Sequence, residues 1–186
     1  MIIEGLDRCG KNEHIKFLCS LTENYTVRHF NTPQGNTDEE KVNFQKLDFT
    51  HAFSLVHQAE KEEKEKPDKL YIWNRSHIGE WVYGQKYRNY KPTWIWDTER
   101  FWDYHTKDNV YLIMLLADPC ITLQNDDGNS LSAELKNRTH ELELFEEAFE
   151  LSNIPKKMKY WVTDGNHYKT IETIQNDLKQ FIDDDV

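Results

Sequence analysis

Met1-Ile2-Ile3-Glu4-Gly5-Leu6-Asp7-Arg8-Cys9-Gly10-Lys11-Asn12 opens the chain and decides how the rest is read. A short apolar run, Ile2-Ile3, enters a Gly5-x-x-x-x-Gly10-Lys11 loop, and Lys11 to Leu21 reads as a helix. That is the strand–loop–helix context of a phosphate-binding P-loop. Its glycines let backbone N–H groups converge on a polyphosphate, the lysine reaches the outer phosphates, and the helix offers its positive end. An ordinary strand-to-helix turn would use the same glycines for backbone geometry alone. The eighth position of such a loop carries a Ser or Thr whose hydroxyl binds magnesium. Here it is Asn12.

The 186 residues suffice for one domain with a sizeable core, and neither a repeat nor a linker divides residues 1–186. Charged residues make up 30% and mean hydropathy is -0.85, so the surface is wet, while 13% aromatic content argues against disorder. No apolar window has bilayer length and the N-terminus lacks a signal pattern, so a cytoplasmic protein without membrane partners is expected. For a viral chain that means the host cytoplasm. Cys9, Cys19 and Cys120 show no metal-ligand spacing and suit a reducing compartment. Cys9 is either a thiol activated by the helix N-terminus or a small residue that fits the loop. A net charge of -10 favours a small nucleotide over a nucleic-acid polymer as partner.

Strand-like and helix-like pieces alternate, the pattern of an α/β domain with a mainly parallel sheet. Tyr25 to Phe30 is the second strand, and residues 31–37 form a turn-rich loop. Asp38 caps a long helix with an apolar face of Val42, Phe44, Leu47, Phe49, Phe53, Leu55 and Val56. Residues 60–69 read as a charged helix end stopped by Pro67, followed by a strand at Leu70 to Trp73. Asn109 to Ala117 is the strongest strand and belongs in mid-sheet. A polar loop covers 124–132, Ser132 caps a helix from Ala133 to about Ser152, and Lys159 to Thr163 is the last strand. Gly165-Asn166 turns into a terminal helix near Tyr168 to Ile182.

The third strand ends in Asn74-Arg75-Ser76-His77, followed by Glu80, Tyr83-Gly84 and Tyr87-Arg88. Ligands of open α/β sheets sit beyond the carboxyl ends of the strands, which brings Arg75 to the same crevice as the P-loop. An arginine there grips a phosphate bidentately. Tyr83 and Tyr87 share a helix face, fit either to stack on a base or to pack in the core. Trp94, Trp96, Phe101 and Trp102 read as core or lid packing, and His77 as a polar helix start.

With these segments in hand, the chain resembles the thymidylate kinase-like branch of the nucleoside monophosphate kinases, in particular small bacteriophage members. The match rests on Glu4 to Lys11, on Asn74-Arg75 with Glu80-x-x-Tyr83-Gly84 and Tyr87-Arg88, and on the loop and helix from Asp126 to Phe149. The resemblance implies a three-layer α/β/α P-loop fold with a five-stranded sheet, and transfer of the ATP γ-phosphoryl group to a deoxynucleoside monophosphate with Mg²⁺. It implies that Gly5, Cys9, Gly10, Lys11 and Asn12 line the ATP site and that Asp7, Arg75, Glu80, Tyr83 and Tyr87 serve the acceptor. Arg8 matches members that keep a catalytic arginine inside the loop. The expected lid, residues 120–132, has no Lys or Arg; Lys136 and Arg138 follow it, and Arg138 is the second candidate cation.

Two departures remove oxygens from the metal's surroundings: Asn12 replaces the hydroxyl, and Asn74 replaces the aspartate usual before the arginine. Metal binding then falls to Asn12's carbonyl, Asp118, Glu4 or water, or else catalysis is weakened. The helix at 48–58 lacks the family's acceptor-phosphate arginine; His51 and His57 are its nearest substitutes. Three functions stay open: a kinase of a small, conceivably base-modified deoxynucleotide; a kinase of a hydroxymethylated pyrimidine within DNA; and a nucleotide-binding protein that has lost the chemistry. The apolar segments 38–58 and 133–149 would allow a homodimer.

Overall fold

The computed structural model describes residues 1–30, 32–62, 69–106, 110–128 and 130–184. The N-terminal apolar run forms β1 (Ile2–Gly5), buried at every position. It is joined in one sheet by β2 (Tyr25–His29), β3 (Leu70–Asn74), β4 (Tyr111–Leu116) and β5 (Lys156–Trp161), in the order β2-β3-β1-β4-β5. Every pairing is parallel, with Ile2 opposite Trp73 on one side and Leu112 on the other. The sheet is thus wholly parallel. Strand order reverses around β1, which puts the loop after it at the switch point where such sheets bind ligands.

Helices α1 (Lys11–Ser20), α2 (Asp38–Glu62), α3 (His77–Tyr87), α4 (Trp94–Thr106), α5 (Pro119–Gln124), α6 (Leu135–Leu151) and α7 (Ile171–Asp183) flank the sheet. Helix α2 packs on α4, and α3 on α6. Leu112 to Ala117 have no exposed surface, because β4 is covered on both faces.

Several boundaries shift for identifiable reasons. Thr37, not Asp38, caps α2: its Oγ1 accepts from Glu40 N, while Glu40 Oε2 accepts from Asn36 N and Thr37 N, a capping box. The buried face of that helix is Gln45, Phe49, Ala52 and Phe53, whereas Leu47 is 73% exposed and Leu55 faces solvent as well. Helix α6 begins at Leu135 rather than Ala133, because Ser132 Oγ accepts from Glu134 N and Asn137 Nδ2 in the preceding turn. Strand β5 starts three residues early, at Lys156; its three lysines, Lys156, Lys157 and Lys159, suit a sheet edge. Thr163 leaves β5 for a small hairpin, β6 (Thr163–Asp164) with β7 (His167–Tyr168), turned by Gly165 at φ +57°. The expected lid contains α5, so its irregular part starts at Asn125. Within the 60–69 stretch, helix continues to Glu62; residues 63–68, with Pro67, lie outside the described residues, as do Asn31, Asn109 and Asn129.

His77 is fully buried and its Nε2 lies 2.8 Å from Glu99 Oε2 of α4. Glu99 also accepts from Ser152 Oγ (2.9 Å) and Asn153 N (2.5 Å) after α6. Burial alone would raise the Glu99 pKa, but the His77 contact and these donors together hold it below the ordinary range. Glu99→Ala strands two buried groups, on His77 and Ser152, and frees the Asn153 N–H, so we expect a loss of about 3 kcal/mol in urea unfolding, whereas an unchanged midpoint would show the brace to be dispensable.

Candidate functional site

Arg8 and Gly10 both adopt left-handed backbone, at φ +69° and +72°. Among the described residues, no backbone carbonyl accepts from the N–H groups of Asp7, Arg8, Gly10, Lys11 and Asn12. These donors, the last two at the unpaired start of α1, make an anion cradle. Lys11 Nζ folds back onto the Gly5 (2.9 Å) and Leu6 (2.7 Å) carbonyls beneath it. A cavity of about 380 Å³ opens over this loop and is lined also by His29, Phe30, Asn74 and Arg75.

The site's cations are held by internal carboxylates. Asp7 Oδ1 sits 2.9 Å from Arg75 Nη2 and 3.9 Å from Lys11 Nζ. Arg8 Nη1 pairs with Asp127 at 2.5 Å, and Arg138, almost fully buried on α6, pairs with the neighbouring Asp126. Arg75, itself at φ +69°, also donates to Tyr83 Oη at 2.8 Å. Burial and then the adjacent Arg75 charge push the Lys11 pKa down; Asp7 opposes them. Arg8 and Arg138 are thus both paired with consecutive aspartates, Asp127 and Asp126.

A second cavity, about 530 Å³, shares Asp7, Phe30 and Arg75 with the first and extends between α2 and α3. Glu80, Tyr83 and Tyr87 line it as expected; the two tyrosine rings stack with centroids 6.2 Å apart. Tyr87 Oη bonds Glu141, while Glu80 bonds Arg88 and Tyr90, so both carboxylates orient the wall. The contribution of α2 was misplaced by the sequence reading. Lys41, Gln45 and Phe49 face this cavity, whereas His51 is exposed and His57 packs near Trp102. Those three residues lie at i, i+4 and i+8, on one face of α2. A third cavity, about 360 Å³, lies on the far side of the loop against His14, Asn125, Tyr168 and Lys169, none of which the sequence marked.

Other expected roles change with the geometry. Gly5 belongs to the sheet: a Cβ there would lie 1.8 Å from the Leu115 carbonyl oxygen of β4. Cys9 is buried, and burial pushes its thiol pKa up to about 12, which makes it the small fitting residue and not a nucleophile. Glu4 is fully buried and accepts from Ser76 Oγ (3.1 Å), Gly79 N (3.0 Å) and Gly5 N (3.2 Å), tying the loop to the start of α3. Asp118 Oδ1 caps α5 through Cys120 N and Ile121 N and lies outside the phosphate cavity's lining. Asn12 Oδ1 accepts from Asn74 Nδ2 at 2.7 Å. Among the described residues no three His, Cys, Asp or Glu side chains cluster to hold a metal ion.

Glu80, Glu4 and Glu141 all have pKa values raised above the ordinary 4.5, burial being the largest cause in each. The folded chain holds these protons more tightly than the unfolded chain, so stability falls as pH rises through the folded-state values. Urea midpoints should decline as pH rises above the ordinary 4.5 of these carboxyls, and Glu80→Gln should flatten that decline. Equal slopes for the two proteins would contradict it.

The loop, the switch-point strand and the two cavities meeting at Arg75 define a P-loop fold of the thymidylate kinase-like kind. Among solved structures, the chain is similar to the YorR protein of Bacillus subtilis in complex with phosphorylated GDP, at 19% identity and a TM-score of 0.64, over 98% of this chain and 94% of that one. It is also similar to thymidylate kinases of Candida albicans (18%, TM-score 0.56, 98% and 90%) and Ehrlichia chaffeensis (13%, TM-score 0.50, 97% and 96%). No protein-family model and no curated protein matches by sequence. No described helix is long and apolar enough to cross a membrane.

Proposed function

We propose that this chain is a nucleotide kinase that moves the γ-phosphoryl group of ATP to a deoxynucleoside monophosphate. The observation that carries the reading is the pair of cavities, one over the P-loop and one between α2 and α3, that share Asp7 and Arg75. Two solved structures of similar fold are named thymidylate kinases, which agrees with that division. The cavity between α2 and α3, about 530 Å³, has room for a nucleotide.

Phosphoryl transfer needs positioning and charge more than a strong base. The free N–H groups of the loop and Lys11 hold the donor phosphates, with the Lys11 ammonium exchanging its two carbonyls for phosphate oxygens. Arg75 holds the acceptor phosphate, oriented by Asp7 and Tyr83. Arg8, which lines the phosphate cavity and the cavity behind it, leaves Asp127 to face the migrating group and offset its charge. Tyr83, Tyr87, Phe49 and Gln45 enclose the acceptor nucleoside.

Calorimetric titration with ATP and with a panel of natural and 5-modified deoxynucleoside monophosphates tests the two-site assignment. One monophosphate should bind wild type and lose about tenfold or more in Arg75→Ala, which keeps ATP binding; Lys11→Ala should do the reverse. Monophosphates binding nowhere, or both variants losing both ligands alike, would overturn it.

A further inference from the structure

The two residues that depart from the P-loop pattern, Asn12 and Asn74, are 62 positions apart in sequence and touch each other in the fold. Asn74 Nδ2 spends both hydrogens, one on Asn12 Oδ1 at 2.7 Å and one on His29 Nδ1 at 2.9 Å. Asn74 Oδ1 is buried and has no partner. Asn74 presents its Nδ2 to both neighbours, and with the His29 ring proton on Nε2 the Nδ1 lone pair accepts, so Asn74 donates on both sides. Asn12 then has to turn its carbonyl oxygen inward. Its exposed Nδ2 has no partner among the described residues, on the first turn of α1 and in the wall of the phosphate cavity.

An amide N–H₂ at that position attracts a phosphate oxygen and repels a cation, the opposite of a serine hydroxyl. The surrounding charges agree with this. Arg8, Lys11 and Arg75 line the cavity against the carboxylates of Asp7 and Glu13, so protein cations are available to balance a phosphate tail. We propose that Asn12 donates its Nδ2 hydrogens to the nucleotide phosphates, with Asn74 and His29 as positioning residues that fix its orientation. The loop then grips the polyphosphate without an inner-sphere metal contact at residue 12. This rests on the reading of the loop as a nucleotide site.

The test is calorimetric binding of ATP, without acceptor, in excess EDTA and in excess Mg²⁺. Wild type should show dissociation constants within about threefold of each other. Asn12→Ser, at an exposed position that tolerates the change, replaces the donor with a metal-binding oxygen. It should weaken metal-free binding about tenfold and recover it with Mg²⁺. Asn74→Asp, which can only accept, should turn the Asn12 amide over and produce the same metal dependence. A wild-type gain of about tenfold or more from Mg²⁺, or variants no more metal-dependent than wild type, would overturn the proposal. ATP binding lost in Lys11→Ala but present in wild type would show that such a failure belongs to residue 12 and leaves the nucleotide site standing. Wild type failing to bind ATP under both conditions would overturn the site and the proposal together.

Discussion

Arg8→Ala is expected to lower kcat by about 10³-fold or more while the chain remains folded. The arginine is about one-third exposed and its recorded ionic partner is Asp127 across the loop, so truncation opens no cavity in the core. Its left-handed backbone aims the side chain from the middle of the phosphate cradle. Among the described residues it is the cation that lines both the phosphate cavity and the cavity behind the loop. A charge in the phosphate cradle offsets most the charge that develops on the phosphoryl group in the transition state, so the loss belongs in kcat and the KM for either nucleotide should change little. Single-turnover rates at saturating nucleotide check this. A variant retaining about a tenth or more of the wild-type rate would assign the catalytic charge elsewhere, first to Arg138.

Gly5→Ala should be the most damaging small substitution in the chain for stability, costing about 4 kcal/mol or preventing folding. Gly5 has φ +132°, and the added Cβ would meet Leu115 oxygen at 1.8 Å and its carbonyl carbon at 2.7 Å. Those atoms are backbone of the buried neighbour strand, held by the Leu6 N to Leu115 O bond of 3.2 Å, and cannot swing aside. Gly10→Ala makes the contrast. Its nearest clash is the His14 ring at 3.2 Å, a side chain able to shift, so its loss should be nearer the left-handed cost of about 1 kcal/mol. Urea denaturation of the two variants side by side measures the difference. Equal stabilities would mean that β1 and β4 can separate at this point without penalty.

The sequence was informative where local chemistry decides the outcome. Ile2-Ile3 before a glycine loop specifies a buried strand feeding a helix, and the uninterrupted run from Leu112 to Ala117 can only be buried on both faces. Arg75 and the P-loop were placed together by a rule about strand ends, and the structure joins them through Asp7. What escaped depends on contacts between distant segments. Lys41 and Gln45 line a cavity because α2, packed on α4, faces α3 across it, and their shared helix face does not by itself say which neighbour it meets. Glu4 and Asp118 stand in the sequence as candidate metal ligands, since sequence does not reveal that one ties down α3 and the other caps α5. The Asn12–Asn74 contact is the clearest case: two separate irregularities in the sequence form one hydrogen-bonded pair in the fold.

The central claim is that donor and acceptor nucleotides meet across Arg8 and Arg75. The most direct measurement is transfer of label from [γ-³²P]ATP in the presence of a mixed panel of deoxynucleoside monophosphates, with hydroxymethylpyrimidine-containing DNA alongside. The account predicts label in a nucleoside diphosphate, abolished by Lys11→Ala. Label found only in DNA, or only in inorganic phosphate at the same rate with and without monophosphates, would contradict it.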